Sequence, residues 1–237
     1  MLCAAGQLLV FAMPGVPKYN GVRLFLPVFP FLAMLAGIGF DRLATWVLQG
    51  KTLSRYQSCQ ATRLRQQILF ILAAAFLLPG FSALVTYHPF ELSYYNQLVG
   101  GLRGAVRRGF EPTYWGETYV HTLSFFNKHA PYGATINIWP PGVVSYFAMF
   151  QRSGALRRDF LLTAGEAAMR SADYVVFHTR QSEMEGSPSA LLLFRHGKPV
   201  FVVQHEGIAL NVVFDRSEIK RVLGEEERTS ASGEEGR

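Results

Sequence analysis

Twenty consecutive residues without a charge, Ile68 to Tyr87, constrain this chain more than any other feature. A run of about 20 apolar residues matches the hydrocarbon thickness of a bilayer when wound into an α-helix. A second uncharged run, Leu24 to Phe40, lies upstream, and Leu43 to Leu48 extends it past the Asp41-Arg42 pair. Pro27 and Pro30 suit a membrane bundle better than a water-soluble helix, because neighbouring helices re-satisfy the freed carbonyls. Met1 to Met13 is apolar but short. It reads either as a signal-peptide core or as a truncated helix. The helix is preferred, because no basic residue precedes the run and another span follows at once.

Composition agrees with a membrane part. Only 17% of residues are charged, 49% are hydrophobic and mean hydropathy is +0.15; an average soluble domain carries about 25% charge. With 14% aromatics the chain can build a core, which excludes disorder for most of its length. The 22 Gly and 12 Pro show no period, which excludes collagen-like and low-complexity classes. Two cysteines exclude a disulfide scaffold.

The net charge of +6 is not spread evenly. Residues 1–87 hold seven Lys/Arg and one acid, Asp41, while residues 88–237 balance at 16 of each sign. A nucleic-acid partner would need a concentrated basic face to replace phosphate counterions, so none is expected. The excess instead sets topology. Asp41 to Gln67 carries five Lys/Arg against two in Pro14 to Arg23. The positive-inside rule therefore places the loop 49–67 in the cytoplasm and residues 88–237 outside. The lipid bilayer is the first expected partner, and the cell membrane the expected location.

From His88 onward the texture changes. Phe90 to Arg108 is aromatic and amphipathic and reads as a helix at the membrane surface, or two short ones. Gly109 to Gly116 reads as a loop. Glu117 to His129, Val143 to Phe150, Gly165 to Ser171 and Pro188 to Phe194 are expected helices. Ala134 to Trp139, Tyr174 to His178, Val200 to His205 and Ile208 to Phe214 are expected strands, the last two joined at Glu206-Gly207 as a hairpin. Gly224 to the end, with five Glu, reads as a disordered acidic tail. The expected fold is thus a membrane α-helical region over 1–87 (two full spans, about 24–48 and 68–87, plus a truncated one at 1–13). An interfacial helix and loop (88–116) and a small extracytoplasmic α/β domain (117–223) follow.

Two stretches resemble a known superfamily. K-Y-N-G-V-R-L-F-L-P-V-F-P-F-L-A-M-L-A-G-I-G, from Lys18 to Gly39, resembles a late transmembrane helix of integral-membrane glycosyltransferases of the GT-C type. These are the polytopic enzymes similar to dolichyl-phosphate-mannose–protein mannosyltransferases and lipid A aminoarabinose transferases. H-P-F-E-L-S-Y-Y-N-Q-L-V-G-G-L-R-G-A, followed by F-E-P-T-Y-W-G, resembles a bacterial branch of that superfamily. The resemblance covers about Lys18 to Pro141 well and the rest loosely. It implies transfer of a sugar from a polyprenyl-phosphate-linked donor to an extracytoplasmic acceptor, with no cofactor. The family's catalytic acid lies in a first extracytoplasmic loop that has no counterpart here. The resemblance therefore implies the C-terminal portion of a longer or split enzyme, whose missing N-terminal half would be a partner. No general base is assignable, and the chain alone should be inactive.

The candidate substrate-binding residues each have two readings. Tyr19, Asn20 and Arg23 stand at the outer mouth of a span, with Lys18 beside them. Arg23 suits a lipid phosphate, or headgroup snorkelling. Glu91, Tyr94, Tyr95 and Asn96 follow the last span and suit sugar hydroxyls and ring stacking, or an interfacial aromatic belt. Glu111, Tyr114, Trp115 and Glu117 repeat that composition in a loop, as a sugar site or as a packed anchor. His121, His129, His178, His196 and His205 are scattered without metal-ligand spacing, so no metal is expected. No G-x-S-x-G elbow surrounds a serine, and G-G-L-R-G lacks the features of a phosphate loop. The alternative function is a non-catalytic, membrane-anchored module whose outer domain binds a glycan or a protein.

Overall fold

The structure is a computed structural model that describes residues 27–48 and 59–224, with five isolated positions between 5 and 13. Most of the expected short helix at 1–13, the candidates Tyr19, Asn20 and Arg23, most of the 49–67 loop and the acidic tail beyond Gly224 therefore lie outside the described residues. The chain divides into two compact units, Met1–Thr86 and Tyr87–Arg237.

The first unit holds two helices, α1 (Phe29–Leu48) and α2 (Cys59–Tyr87). Both are long and apolar enough to cross a membrane. Only 6% of the most apolar stretch of α1 is buried, and none of that of α2. Phe40 meets Phe76 edge to face at 6.0 Å. The prolines behave more simply than a membrane bundle requires. Pro27 sits in a 3-10 turn and Pro30 is the second residue of α1, where a missing N–H costs nothing. Pro79 lies in the interior of α2. Helix α2 starts nine residues before the uncharged run, so 59–67 is helix rather than loop.

The second unit is built on a five-stranded mixed sheet. Its strands are β1 (Thr135–Trp139), β2 (Leu161–Ala164), β3 (Tyr174–His178), β4 (Phe201–His205) and β5 (Ile208–Asp215), in the order β2-β1-β3-β5-β4. β1 pairs in parallel with β2 and β3, β5 runs antiparallel to β3, and β4 closes the hairpin on β5. β1 and β3 are interior strands buried on both faces, which suits their largely apolar sequences; Asn137, buried at the centre of β1, donates to the Gly165 carbonyl at 3.0 Å. Alternation then sorts the side chains. Ile136, Ile138, Val176 and Val213 face a layer holding Tyr119, Leu123, Phe126 and Phe147. Trp139, Val175, Phe177 and Phe214 face Met169, Met184, Leu193 and Ile219. The unit is therefore three layers, helix–sheet–helix.

The helices of this unit are α3 (Gly101–Arg107), α4 (Leu123–His129), α5 (Val144–Ser153), α6 (Glu166–Met169), α7 (Gln181–Met184), α8 (Pro188–His196) and α9 (residues 216–224). β2, α7 and α9 were not expected from sequence. Phe90 to Arg108, expected as one surface helix or two short ones, is two 3-10 turns, Glu91–Ser93 and Gln97–Val99, followed by the short α3. Glu117 to His129 likewise opens as a 3-10 helix, Glu117–Thr122, before α4.

The β4–β5 hairpin turns through two residues of positive φ, Glu206 (50°) and Gly207 (73°). Such a turn suits the right-handed twist of its strands, but glutamate is a poor first residue for it. Tertiary bonds hold it there. The Glu206 carboxylate accepts from the buried Tyr87 hydroxyl at 3.0 Å, and its carbonyl accepts from Arg103 Nε. Tyr87, Leu102 and Leu210 form a small core of their own beside the hairpin, with Phe90, Tyr95, Val106 and Ile208 packed against it.

Candidate functional site

Ligands of open α/β sheets bind beyond the carboxyl ends of the strands, where successive connections leave for opposite faces. Here that point lies between β1 and β3. The chain leaves β1 through α5, whose Phe147 packs on one face; it leaves β3 through α7 and α8, whose Met184 and Leu193 pack on the other. Trp139 and His178 end the two strands.

This position is sealed by the protein itself. The Tyr119 hydroxyl donates to the Trp139 carbonyl at 2.6 Å, and Trp139 Nε1 donates to the Glu183 carbonyl at 3.1 Å. Arg180 pairs with Glu183 at 3.2 Å. The loop Gly109 to Gly116 is tied to the start of α7 because Ser182 N–H donates to Glu111 Oε1 at 2.9 Å. His178 is 1% exposed, and its ring lies 5.4 Å from that of Tyr119. Burial, reinforced by the Arg180 charge, pushes its imidazole down to about 4. It is neutral at physiological pH, with a buried Nε2 that has no protein partner.

The sequence candidates fall into three groups. Tyr95, Glu111 and Tyr114 come together: the Tyr95 hydroxyl donates to the Glu111 carbonyl at 2.8 Å and lies 2.9 Å from the Tyr114 hydroxyl. Burial, with the Tyr114 contact, raises the Tyr95 phenol. Trp115 and Glu117 join this group along the loop. Glu117 accepts from the Thr113 hydroxyl at 2.5 Å and from Trp115 N–H at 3.2 Å, so both its oxygens close the loop. Trp115 remains 39% exposed.

The second group is local. Asn96 caps the Gln97–Val99 turn through Oδ1, which accepts from Leu98 N–H at 3.0 Å and Val99 N–H at 3.2 Å. Glu91 pairs with His88 at 2.7 Å, and that bond holds its carboxyl below the usual range. Tyr94 packs edge to face on Tyr87 at 5.1 Å. The third group, Tyr19, Asn20 and Arg23, lies outside the described residues.

The arrangement presents one exposed indole on a loop whose acids are engaged in holding it. Two carboxylates poised on either side of an open space, as sugar hydrolysis needs, are not among the described residues. From sequence His178 is weighed only as a metal ligand, and Arg180 is not singled out. The signal was positional: His178 closes the buried strand Y-V-V-F-H at its carboxyl end. A shallow pocket of about 130 Å³ lies elsewhere, between Arg170, Ile219, Lys220, Leu223 and Gly224. It contains no residue of the loop, and its lining offers cations without a carboxylate or an aromatic ring, so the site is assigned to the loop instead.

No protein-family model, curated protein or solved structure matches this chain.

Proposed function

We propose that the chain is the C-terminal portion of a membrane glycosyltransferase. It would serve transfer of a sugar from a polyprenyl-phosphate-linked donor to an extracytoplasmic acceptor. In this reading α1 and α2 cross the cell membrane, the 49–67 segment is cytoplasmic and the α/β unit stands outside. The observation that carries it is the integration of the stretch resembling those enzymes. His88 to Gly116 folds onto the unit through Arg103, which donates to the Glu206 carbonyl, and Glu111, which accepts from Ser182 N–H, leaving Trp115 partly exposed. The unit contributes binding rather than proton transfer, since Glu111 and Glu117 hold the loop in shape. Arg23 would take the lipid phosphate, and no residue of this chain is assigned as the base.

The test is donor binding by the full chain in proteoliposomes containing a radiolabelled polyprenyl-phosphate sugar. One charge-assisted hydrogen bond contributes about 1.5–3 kcal/mol, so Arg23→Ala should weaken binding about tenfold or more. Arg195→Ala, on α8, should leave it unchanged. Equal effects of the two changes, or none from Arg23→Ala, would remove the proposed donor site. The engagement of both loop carboxylates favours a second reading, a non-catalytic glycan- or protein-binding module. Binding of soluble glycan with no affinity for the lipid-linked donor would select it.

A further inference from the structure

The turn that follows the long apolar helix carries a leucine with almost nothing around it. Leu98 is 93% exposed. A single exposed leucine is ordinary on a mobile surface, but this one is held at the tip of a fixed turn. Asn96 Oδ1 accepts from the Leu98 and Val99 amides, and the Asn96 carbonyl accepts from Gly101 N–H at 3.1 Å. From the other side Arg108 Nη1 donates to the Val99 carbonyl at 2.6 Å and the Gly104 carbonyl at 2.9 Å. A guanidinium is thus fixed one residue from the exposed leucine. Phe110 is 47% exposed, and its ring lies 5.9 Å from that of Tyr95 in the same segment.

The charge of the segment points the same way. Between His88 and Phe110 the cations are Arg103, Arg107 and Arg108, and the one acid, Glu91, is paired with His88. Chain continuity adds the last constraint. Leu98 stands eleven residues beyond Tyr87, the end of a helix long and apolar enough to span a bilayer. An apolar tip beside a held arginine fits a surface with phosphate above and hydrocarbon below.

We propose that the Gln97–Val99 turn docks on the anionic bilayer surface, with Leu98 inserted among the acyl chains and Arg108, helped by Arg107, at the lipid phosphates. This rests on the membrane reading of α2 but not on glycosyl transfer. The turn then fixes where the α/β unit stands against the membrane.

The test uses the full chain carrying Cys3→Ser and Cys59→Ser, with Leu98→Cys or Tyr132→Cys labelled with an environment-sensitive fluorophore. Tyr132 is 89% exposed in the turn before β1 and serves as the reference position. Vesicles contain equal parts phosphatidylcholine and phosphatidylglycerol, with or without doxyl-labelled lipid. The label at 98 should shift to the blue, lose intensity to doxyl lipid and resist aqueous iodide, while the label at 132 does the reverse. Iodide quenching at 98 as strong as at 132 would overturn the docking. So would a label at 98 shielded from both quenchers, which would put a protein partner there, or equal lipid quenching at both positions. Flotation with the vesicles and resistance to alkaline carbonate report on α2 separately. A chain that stays in the membrane with a wet label at 98 refutes the docking alone; one that does not float refutes the membrane reading.

Discussion

Gly104→Ala is the sharpest probe of how the segment after α2 is built. A Cβ at this position would fall 2.8 Å from the Val99 carbonyl carbon, closer still to its oxygen, and 3.2 Å from Arg108 Nη1. The carbonyl oxygen is the nearest atom, so reaching ordinary contact at about 3.4 Å requires the Gln97–Val99 turn to retreat by roughly 1.5 Å. The turn cannot do so cheaply. Asn96 caps it from one end, and Arg108 bonds both the Val99 and Gly104 carbonyls across the gap. Overpacking of this kind costs about 1–3 kcal/mol. Against it stands the helical preference of alanine over glycine, about 1 kcal/mol. Adding partial loss of the Arg108 bonds, we expect a net loss of about 2 kcal/mol, or a fall in Tm of roughly 4–8 °C for a unit of this size. Near-UV circular dichroism of the full chain in detergent, followed through thermal unfolding, measures it. Gly142→Ala is the control, because a Cβ there meets nothing within 4 Å and the backbone φ is ordinary. A Gly104→Ala variant as stable as the wild type, or more stable, would show that the turn does not pack on α3.

Three further outcomes follow from the same geometry. Tyr87→Phe removes a hydroxyl that accepts from Leu102 N–H at 3.2 Å and donates to Glu206. It leaves a buried amide and a carboxylate short of a partner, so urea unfolding should report a loss of about 1–3 kcal/mol; an unchanged midpoint would refute the lock. His178, pushed by burial from 6.5 down to about 4, binds a proton more readily unfolded than folded. Its contribution is therefore full above pH 6.5 and lost as pH falls towards 4, by roughly 3 kcal/mol in all; His178→Phe should flatten that limb of the stability–pH curve, and an unaltered limb would assign it to other groups. Finally, Cys59 in intact cells, with Cys3→Ser, should resist a membrane-impermeant thiol reagent; ready labelling would invert the proposed orientation.

Much of the fold is written locally. Y-V-V-F-H carries an unbroken apolar centre, and T-I-N-I-W pairs β-branched and aromatic residues around Asn137, whose amide finds the Gly165 carbonyl; both read as strands from sequence. E-G between two alternating runs announces the hairpin. The elements that escaped notice are those whose reason is tertiary. β2 is four residues, Leu161–Ala164, at a sheet edge; only the hydrogen bonds offered by β1 make it a strand. α7, Gln181–Met184, is a single turn, too short for periodicity to show, and Glu111, far away in sequence, accepts from its Ser182 amide. The 3-10 pieces between Glu91 and Val99 lie in a pattern that reads as one amphipathic helix or two short ones. Asn96 and Gly100 punctuate that pattern as cap residues, and their punctuation overrides its period.

The candidate site was legible by residue type and not by role, for a physical reason. Carboxylates, amides and phenols that bind a sugar are the same groups that satisfy backbone amides in a loop without regular structure. A loop running across a sheet end must find partners for its own N–H and C=O groups, and the nearest polar side chains are its own. Glu117 is taken by Trp115 N–H and Thr113, Asn96 by Leu98 and Val99, and Glu111 reaches the amide of Ser182. A side chain so engaged still has lone pairs, but it presents them in directions fixed by the loop. Any ligand bound here therefore meets a rigid surface, with Trp115 as its partly exposed ring. Glu117→Ala separates the roles: it removes both oxygens that accept from the Thr113 hydroxyl and the Trp115 amide, so both loop bonds are lost. If Glu117 shapes the surface, this variant should lower stability and ligand binding together, and a second variant at Trp115 should lower binding alone. Loss of binding in Glu117→Ala with stability intact would instead make its carboxylate a direct ligand contact.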